Sequence, residues 1–389
     1  MTDDKDLKSV LDTLIAMTNE KLDHNNVEDV EDVEVLEEED EVYEEEDEGE
    51  LKGEVFNPTP NPILPSPAPM PTNTPKLTLF DRELTNVENE VLTLEEAMTK
   101  AGANFEVDKC QVTANRPAEF GDTIMPNLCA TFRKDTGDIL SDKGVSSIYG
   151  IVQFVDAVNF VDVLVSEGAA SIKALGAPGK GRHLYLVLRA NGTLNIGSKA
   201  IENLFLITTS HDGLAKLDIR ITPVIDNVIM MPYSSGISFR HSKKVADRMN
   251  AAHRTAKTVT KQWEKFTEET KKLMETKVTT VQAEEYFAQL LDFDTQDKDP
   301  DSRKLAIFSM VCDIYNKGLA SKLPGIHGTM FGAYLAFSEY IGVQKKVKRS
   351  KYRSGGEAEL FSKLHGPNVL HHAKAFAFAT HLSTRLAGI

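Results

Sequence analysis

Residues 182–196 read RHLYLVLRANGTLNI, and residues 202–224 read ENLFLITTSHDGLAKLDIRITPV. Both are rich in aliphatic, β-branched and aromatic residues and alternate with the period of paired strands. Asn191-Gly192 and Asp212-Gly213 supply dipeptides suited to tight turns. Together they predict an antiparallel sheet. Working outward, FEVDKCQVTA (105–114) and CATFRKDTGDIL (129–140) read as further strands, the second turning at Asp135-Thr136-Gly137. Helices are interleaved. Thr93 and Glu96 form a capping box for a helix ending at Gly102. Residues 153–167 place Phe154, Ala157, Val158, Val161 and Leu164 on one inward face. Residues 77–241 are therefore expected to form an α+β domain, an antiparallel sheet with packed helices.

From Ser242 the period changes. Ala252, Ala256, Val259, Trp263, Phe266, Thr270 and Leu273 follow a 4-3-4-3-4-3 spacing, a heptad-like seam on one long helix. A second capping box, Thr279 with Gln282, opens another helix, and 302–317, 328–342 and 367–386 read as more. Residues 242–389 thus form a mainly helical region. The seam suits packing inside the chain, and it also suits self-association into a homo-oligomer.

The N-terminal end is different in kind. Residues 33–50, VEVLEEEDEVYEEEDEGE, hold twelve carboxylates in eighteen positions with no basic residue. Residues 1–50 carry 22 Asp and Glu against Lys5, Lys8 and Lys21, so their net charge is −19, whereas the whole chain is −15 and the remainder is +4. Such a run cannot bury enough apolar area to offset its ordering entropy and is expected to be disordered. Residues 1–56 are read as an acidic tail with a short amphipathic helix at 5–22. Residues 57–76, with eight prolines in 57–75, are read as an extended spacer.

No enzyme signature survives inspection. In the segment 192–199, Gly197-Ser198-Lys199 reverses the Lys-Ser order that a nucleotide P-loop needs, and Ala177-Pro-Gly-Lys-Gly-Arg182 lacks the strand–loop–helix context. The aspartates of 292–301 lack the glycine and final Glu of a calcium loop. Ser210, His211 and Asp212 are strand neighbours that point to opposite faces and form no relay. His371-His372 do not converge on a metal. The three cysteines fit a reducing compartment, and no CxxC pair suggests zinc. No apolar run is long enough to span a membrane. The expectation is a cytoplasmic, non-enzymatic protein without cofactor or metal.

Cationic surface is the stronger feature. Arg240–Lys277 holds eleven Lys and Arg against five acids, a net of +6, and begins with Phe239, Arg240, His241, Lys243 and Lys244, followed by Arg248. A second cluster comprises Lys345, Lys346, Lys348, Arg349, Lys351 and Arg353, with Tyr352 among them. A third runs through Lys180, Arg182, His183, Tyr185 and Arg189. Cations beside aromatic rings are what a groove for single-stranded nucleic acid requires, because charge tracks the backbone while rings stack on bases. The acidic tail then reads as a mimic of the polyanion, competing for the same groove. The simpler reading is a solubilising tail.

The order of several segments carries a resemblance. Gly150–Arg189, with Gln153, Phe160, Asp162, Leu164 and Glu167-Gly168, is followed by Thr209-Ser-His-Asp-Gly213 and Thr222-Pro-Val224. Then come Ile237-Ser-Phe-Arg-His241, Gly328-Thr329 and Glu339-Tyr340. Over residues 93–345 this resembles the phage/plasmid-like protein family, domain of unknown function 932. Asp226-Asn227 departs from the Cys-Asn usual there. The resemblance implies a phage, prophage or plasmid setting, hence a host cytoplasm, and by analogy a role in DNA replication or recombination. The leading expectation is a phage-type protein that binds single-stranded DNA and promotes annealing without ATP. The alternative is an interaction protein that docks a host or phage partner through its N-terminal tail.

Overall fold

The computed structural model describes residues 78–387 apart from 89, 91, 118, 167–169, 235, 243–255, 298–299, 346, 348–354 and 366. The acidic tail, the helix at 5–22 and the proline-rich spacer lie outside the described residues. The architecture is α+β. A short helix α1 (Leu79–Glu83) and strand β1 (Thr85–Asn86) lead to α2 (Leu94–Lys100), whose capping box of Thr93 and Glu96 is present as the sequence predicts. Strands β2 (Val107–Ala114), β3 (Thr123–Arg133) and β4 (Val145–Ser146) form a small antiparallel sheet in that order.

Helix α3 (Phe154–Ser166) follows, with Phe154, Ala157 and Val158 buried. The main sheet then accumulates from β5 (Ala170–Gly176), β6 (His183–Ile196), β7 (Lys199–Ser210), β8 (Leu217–Ile221) and the later β11 (Ile237–Phe239). Its order is β1-β5-β6-β7-β8-β11, antiparallel throughout. The hairpin β9 (Val224–Ile225) and β10 (Val228–Ile229) attaches to β7.

Asn191-Gly192 is not the hairpin turn that its sequence suggests. Strand β6 runs through it, with a register shift between Arg189 and Thr193, and the reversal occurs at Gly197-Ser198. Gly192 adopts φ +95 at the bulge, and a Cβ there would stand 3.1 Å from the Trp263 indole nitrogen. The close approach of that indole, with the positive φ, accounts for the glycine.

Among the described residues, seven helices complete the fold: α4 (Ala256–Glu275), α5 (Thr280–Leu290), α6 (Ser302–Lys317), the single turn α7 (Leu319–Lys322) and α8 (Met330–Glu339), which runs on as a π turn to Gln344, with α9 (Gly355–Leu364) next. The last, α10 (Pro367–Leu386), closes the fold. The Thr279–Gln282 capping box is present, Asp301 caps α6 and Thr329 caps α8. In the heptad-like seam, Trp263, Phe266, Thr270 and Leu273 are all buried. From Trp263 to Leu273 the seam is therefore an internal packing face.

Sheet and helices share one core. On one side of β6, Leu184, Leu186 and Leu188 join Phe154, Phe266, Phe287, Phe331 and Phe376 in a single apolar cluster. On the other, Tyr185 and Val187 pack with Leu79, Phe80, Leu360, Leu364 and Val369. The central strand is thus covered on both faces, as its continuous apolar run allows. Residues 72–389 form one compact unit, in which the helical region is a layer on the sheet.

Phe376 tests that unity. Its ring meets Tyr334 at 5.0 Å, Phe266 at 5.5 Å and Tyr233 at 5.9 Å, joining three helices to the segment before β11. Phe376→Ala should cost about 3–5 kcal/mol. In urea, far-ultraviolet circular dichroism and the fluorescence of the single tryptophan should still shift together in one transition. Separate midpoints would show that sheet and helices unfold independently.

Candidate functional site

Strand β6 begins at His183 directly opposite Ser210, the last residue of β7. At this end of the sheet several buried ionisable groups gather. His183 Nε2 lies 3.1 Å from Asp212 Oδ2, and its Nδ1 lies 3.8 Å from Glu357 Oε1 on α9; all three residues are buried. His365 and Phe361, also from α9 or its end, bring their rings within 6.1 and 5.0 Å of the His183 ring. Burial raises the Asp212 pKa, but the hydrogen bond and positive charge of His183 more than offset this, and the carboxyl ends at about 2. It is an ionised group held inside the fold.

The preceding loop is shaped around Glu357. Gly179, Lys180 and Gly181 all adopt positive φ, and a Cβ on Gly179 would collide with the Glu357 carboxylate. Lys180 is a non-glycine in the left-handed region, a conformation that persists only where the surroundings impose it. Here Lys180 Nζ pairs with Asp138 at 2.8 Å, Arg133 donates to the Lys180 carbonyl, and Gly181 packs under the Phe105 ring. The segment 177–182 lies between β5 and β6, so it is a strand–strand connection.

The far side of the same strand ends holds a second set. His211 is fully buried, stacked on Phe154 at 4.2 Å, and neither ring nitrogen has a hydrogen-bond partner among the described residues. Its backbone is fixed: the N–H donates to Arg182 O at 2.7 Å and the C=O accepts from Thr131 Oγ1 at 2.6 Å. Burial, with the nearby positive potential of His241, lowers its pKa to about 3. His241 is bracketed by the Gly150 carbonyl and Thr209 Oγ1, each at 3.1 Å, and stacks on Tyr149 at 4.9 Å. Tyr149 donates to Ser210 O at 2.8 Å, while burial and the Asp212 charge push its phenol pKa up.

Segments that are dispersed in sequence, at Tyr149-Gly150, His183, Thr209–Asp212, His241 and Glu357, thus meet at one place. An imidazole between two carboxylates can hold a proton, and Asp212 is the charge around which it is organised. His183, Thr209–Asp212 and Glu357 are buried and Tyr149 and His241 half-buried, so in this conformation the cluster fastens α9 and the β2–β3–β4 sheet to the end of β6 and β7.

The third cationic cluster is largely withdrawn from the surface. His183 and Tyr185 are fully buried, because β6 is covered on both faces, and neither faces a groove. Arg182 grips Asp142 through both terminal nitrogens at 2.7 and 3.0 Å. Arg189 pairs with Glu88 and with Glu202, the latter at 2.7 Å. These pairs, with Lys180–Asp138, neutralise the cations expected to meet phosphates. Of the first cluster, Phe239 and His241 are half-buried and Arg240 is exposed beside them. Lys345 is half-buried and donates to Asn368 at 2.8 Å. Lys243, Lys244, Arg248, Lys346, Lys348, Arg349, Lys351, Tyr352 and Arg353 lie outside the described residues.

The His183–Asp212–Glu357 contact is not visible in the sequence, because its members come from two strand ends and a distant helix. The signal that was available is that His183 and Asp212 flank strands predicted to be paired. Among the described residues, no three His, Cys, Asp or Glu side chains form a metal-binding group. No described helix is long and apolar enough to cross a membrane.

The buried histidines tie stability to acidity. An unfolded histidine binds its proton near pH 6.5 and folded His211 only near 3, so the unfolded state gains protons first as pH falls. This contribution is intact above pH 6.5 and erodes by about 1.4 kcal/mol per pH unit between 6.5 and 3. His372, also lowered to about 3 by burial, adds a similar slope. Urea unfolding of His211→Asn between pH 4 and 7 should show a slope shallower by about 1.4 kcal/mol per unit. An unchanged slope would mean that His211 is solvated or partnered in solution.

A family model described as Domain of unknown function (DUF932) matches residues 143–362. No curated protein and no solved structure matches the chain. The matched segment begins just before β4, ends within α9 and contains Tyr149, His183, His211, Asp212, His241 and Glu357, though not the β2–β3 pair. Because the match covers more than half of the 389 residues, the chain belongs to the DUF932 family, whose shared domain has no assigned function.

Proposed function

We propose that this protein binds single-stranded DNA through its basic body, promotes strand annealing without ATP, and carries an acidic tail that competes for the same surface. The observation that supports the reading is the separation of charge. Residues 1–50 carry −19 and the rest +4, with +6 concentrated in Arg240–Lys277 and six cations in 345–353. Lys180, Arg182 and Arg189 are already paired with carboxylates, so the contacts are assigned to Arg240, Lys243, Lys244, Arg248 and the 345–353 cluster. Phe239 and Tyr352 are the rings offered for stacking. A phage or plasmid origin and a cytoplasmic location belong to the same proposal.

Fluorescence anisotropy with a labelled oligonucleotide tests it. The full chain should bind at low salt, with log affinity falling linearly as log salt rises. Each phosphate contact removed, as in Arg240→Ala or Lys243→Ala with Lys244→Ala, should reduce that slope by roughly 0.7. Lys180→Ala should leave both affinity and slope unchanged. Deleting residues 1–71, which lie outside the compact unit of 72–389, should tighten binding at low salt, and the gain should shrink as salt screens the tail. Absence of binding by either chain at low salt would overturn the proposal.

A further inference from the structure

The last helix presents a row of cations to solvent. Residues 360–389 contain no Asp or Glu, against Lys363, Lys374, Arg385 and four histidines. Helix α10 turns Val369, His372, Ala375, Phe376 and Ala379 into the protein. Its outer face carries His371, Lys374 and Arg385, all exposed. At about 100° and 1.5 Å per residue, the three fall within roughly 60° of arc and span about 21 Å. None of them has a carboxylate partner among the described residues. Lys180, Arg182 and Arg189, by contrast, each have one.

The row is continuous with a cation from another element. Lys345 donates to Asn368 Oδ1 at 2.8 Å, against the first turn of α10. Burial, then the charges of Lys345 and Lys374, lower the His371 pKa, so positive potential converges there. The acids of neighbouring α9 are already engaged, Glu359 with Arg82 and Lys363, and Glu357 with His183. Helix α4 is built differently: Ala256–Glu275 mixes five Lys with four Glu and includes the pair Lys265–Glu269. A polyanion gains from charges of one sign and little from alternating ones. Stacked nucleic acid places a phosphate about every 3.4 Å along each strand, so 21 Å accommodates roughly six.

On the reading that the body binds single-stranded DNA, on which this inference rests, we propose that the outer face of α10 is a further phosphate track. It begins beside Lys345 and runs through His371, Lys374 and Arg385. Anisotropy of a labelled oligonucleotide with the full chain, across a salt series, tests it. Lys374→Ala with Arg385→Ala should weaken binding at low salt. Two lost contacts at roughly 0.7 each should reduce the slope of log affinity against log salt by about 1.4. The unfolding midpoint should not move, since both side chains are exposed and unpaired. Lys374→Arg with Arg385→Lys keeps the charges and should keep the slope. Lys216→Ala with Lys322→Ala removes the same charge from exposed positions on other elements and should leave the slope unchanged.

A Lys374→Ala/Arg385→Ala variant with the wild-type slope, where wild type binds, would overturn the track and leave the DNA reading standing. Absence of binding by wild type would overturn both. An equal loss in Lys216→Ala/Lys322→Ala would reduce the effect to net charge, against the proposal. Tighter binding by the α10 variant would mean that the row holds a competing anion, which also overturns it.

Discussion

Burial of strand β6 on both faces is the constraint from which the other layers follow. His183 to Leu188 is a run of six buried residues, so apolar cover must come from two directions. Helices α3 to α8, with Phe376 of α10, supply one side. The other side is built from opposite ends of the chain, Leu79 and Phe80 of α1 with Leu360 and Leu364 of α9. Each large side chain so enclosed contributes about 1.5–3 kcal/mol. Much of that cover comes from chain beyond the segment that matches the family model. Where β6 leaves the core, the environment turns ionic: Lys173 and Arg189 meet Glu88 and Glu202 at the sheet's rim.

The same double burial creates the polar cluster. A strand that enters the interior with a histidine needs partners for that ring, and Asp212 and Glu357 provide them. Once the two carboxylates are enclosed, the loop beside them has to accommodate their bulk. Glycine at 179 meets this twice, by its missing Cβ and by its φ. The motifs of the family resemblance divide along these lines. Gly328-Thr329 and Glu339 are structural, since Thr329 caps α8 and the Glu339 carboxylate accepts from the Leu319 N–H at 2.7 Å. Thr209–Asp212 and His241 instead line the buried cluster.

Much of the fold was legible because its signals are local. Both capping boxes, the helices at 302–317 and 367–386 and the two strands within 183–210 follow from propensity and period. The misreadings share a cause in tertiary contact. Asn191-Gly192 has turn chemistry, yet the Trp263 indole and the pairing of β6 with β7 turn it into a bulge. Helix α9 was missed because the basic run before it gives no start signal and its role is to cover a sheet face. At the site, cations in the sequence do not announce which carboxylates will meet them. Arg182 and Asp142 are ordinary charged residues until the β2–β3–β4 sheet folds against the end of β6.

Gln153 has a wider consequence. Its side-chain amide presents one donor and one acceptor in the spacing of a peptide group, and at Val107 it takes the place of a neighbouring strand. One residue further along, Asp108 Oδ1 accepts from the Lys109 N–H, and the Lys109 ammonium is drawn to the carbonyls of Ser147 and Tyr149. The sheet margin nearest the body is thereby stoppered with side chains. Strand addition, the route from an exposed edge to fibrous aggregate, is hindered at Val107, where the edge is already occupied.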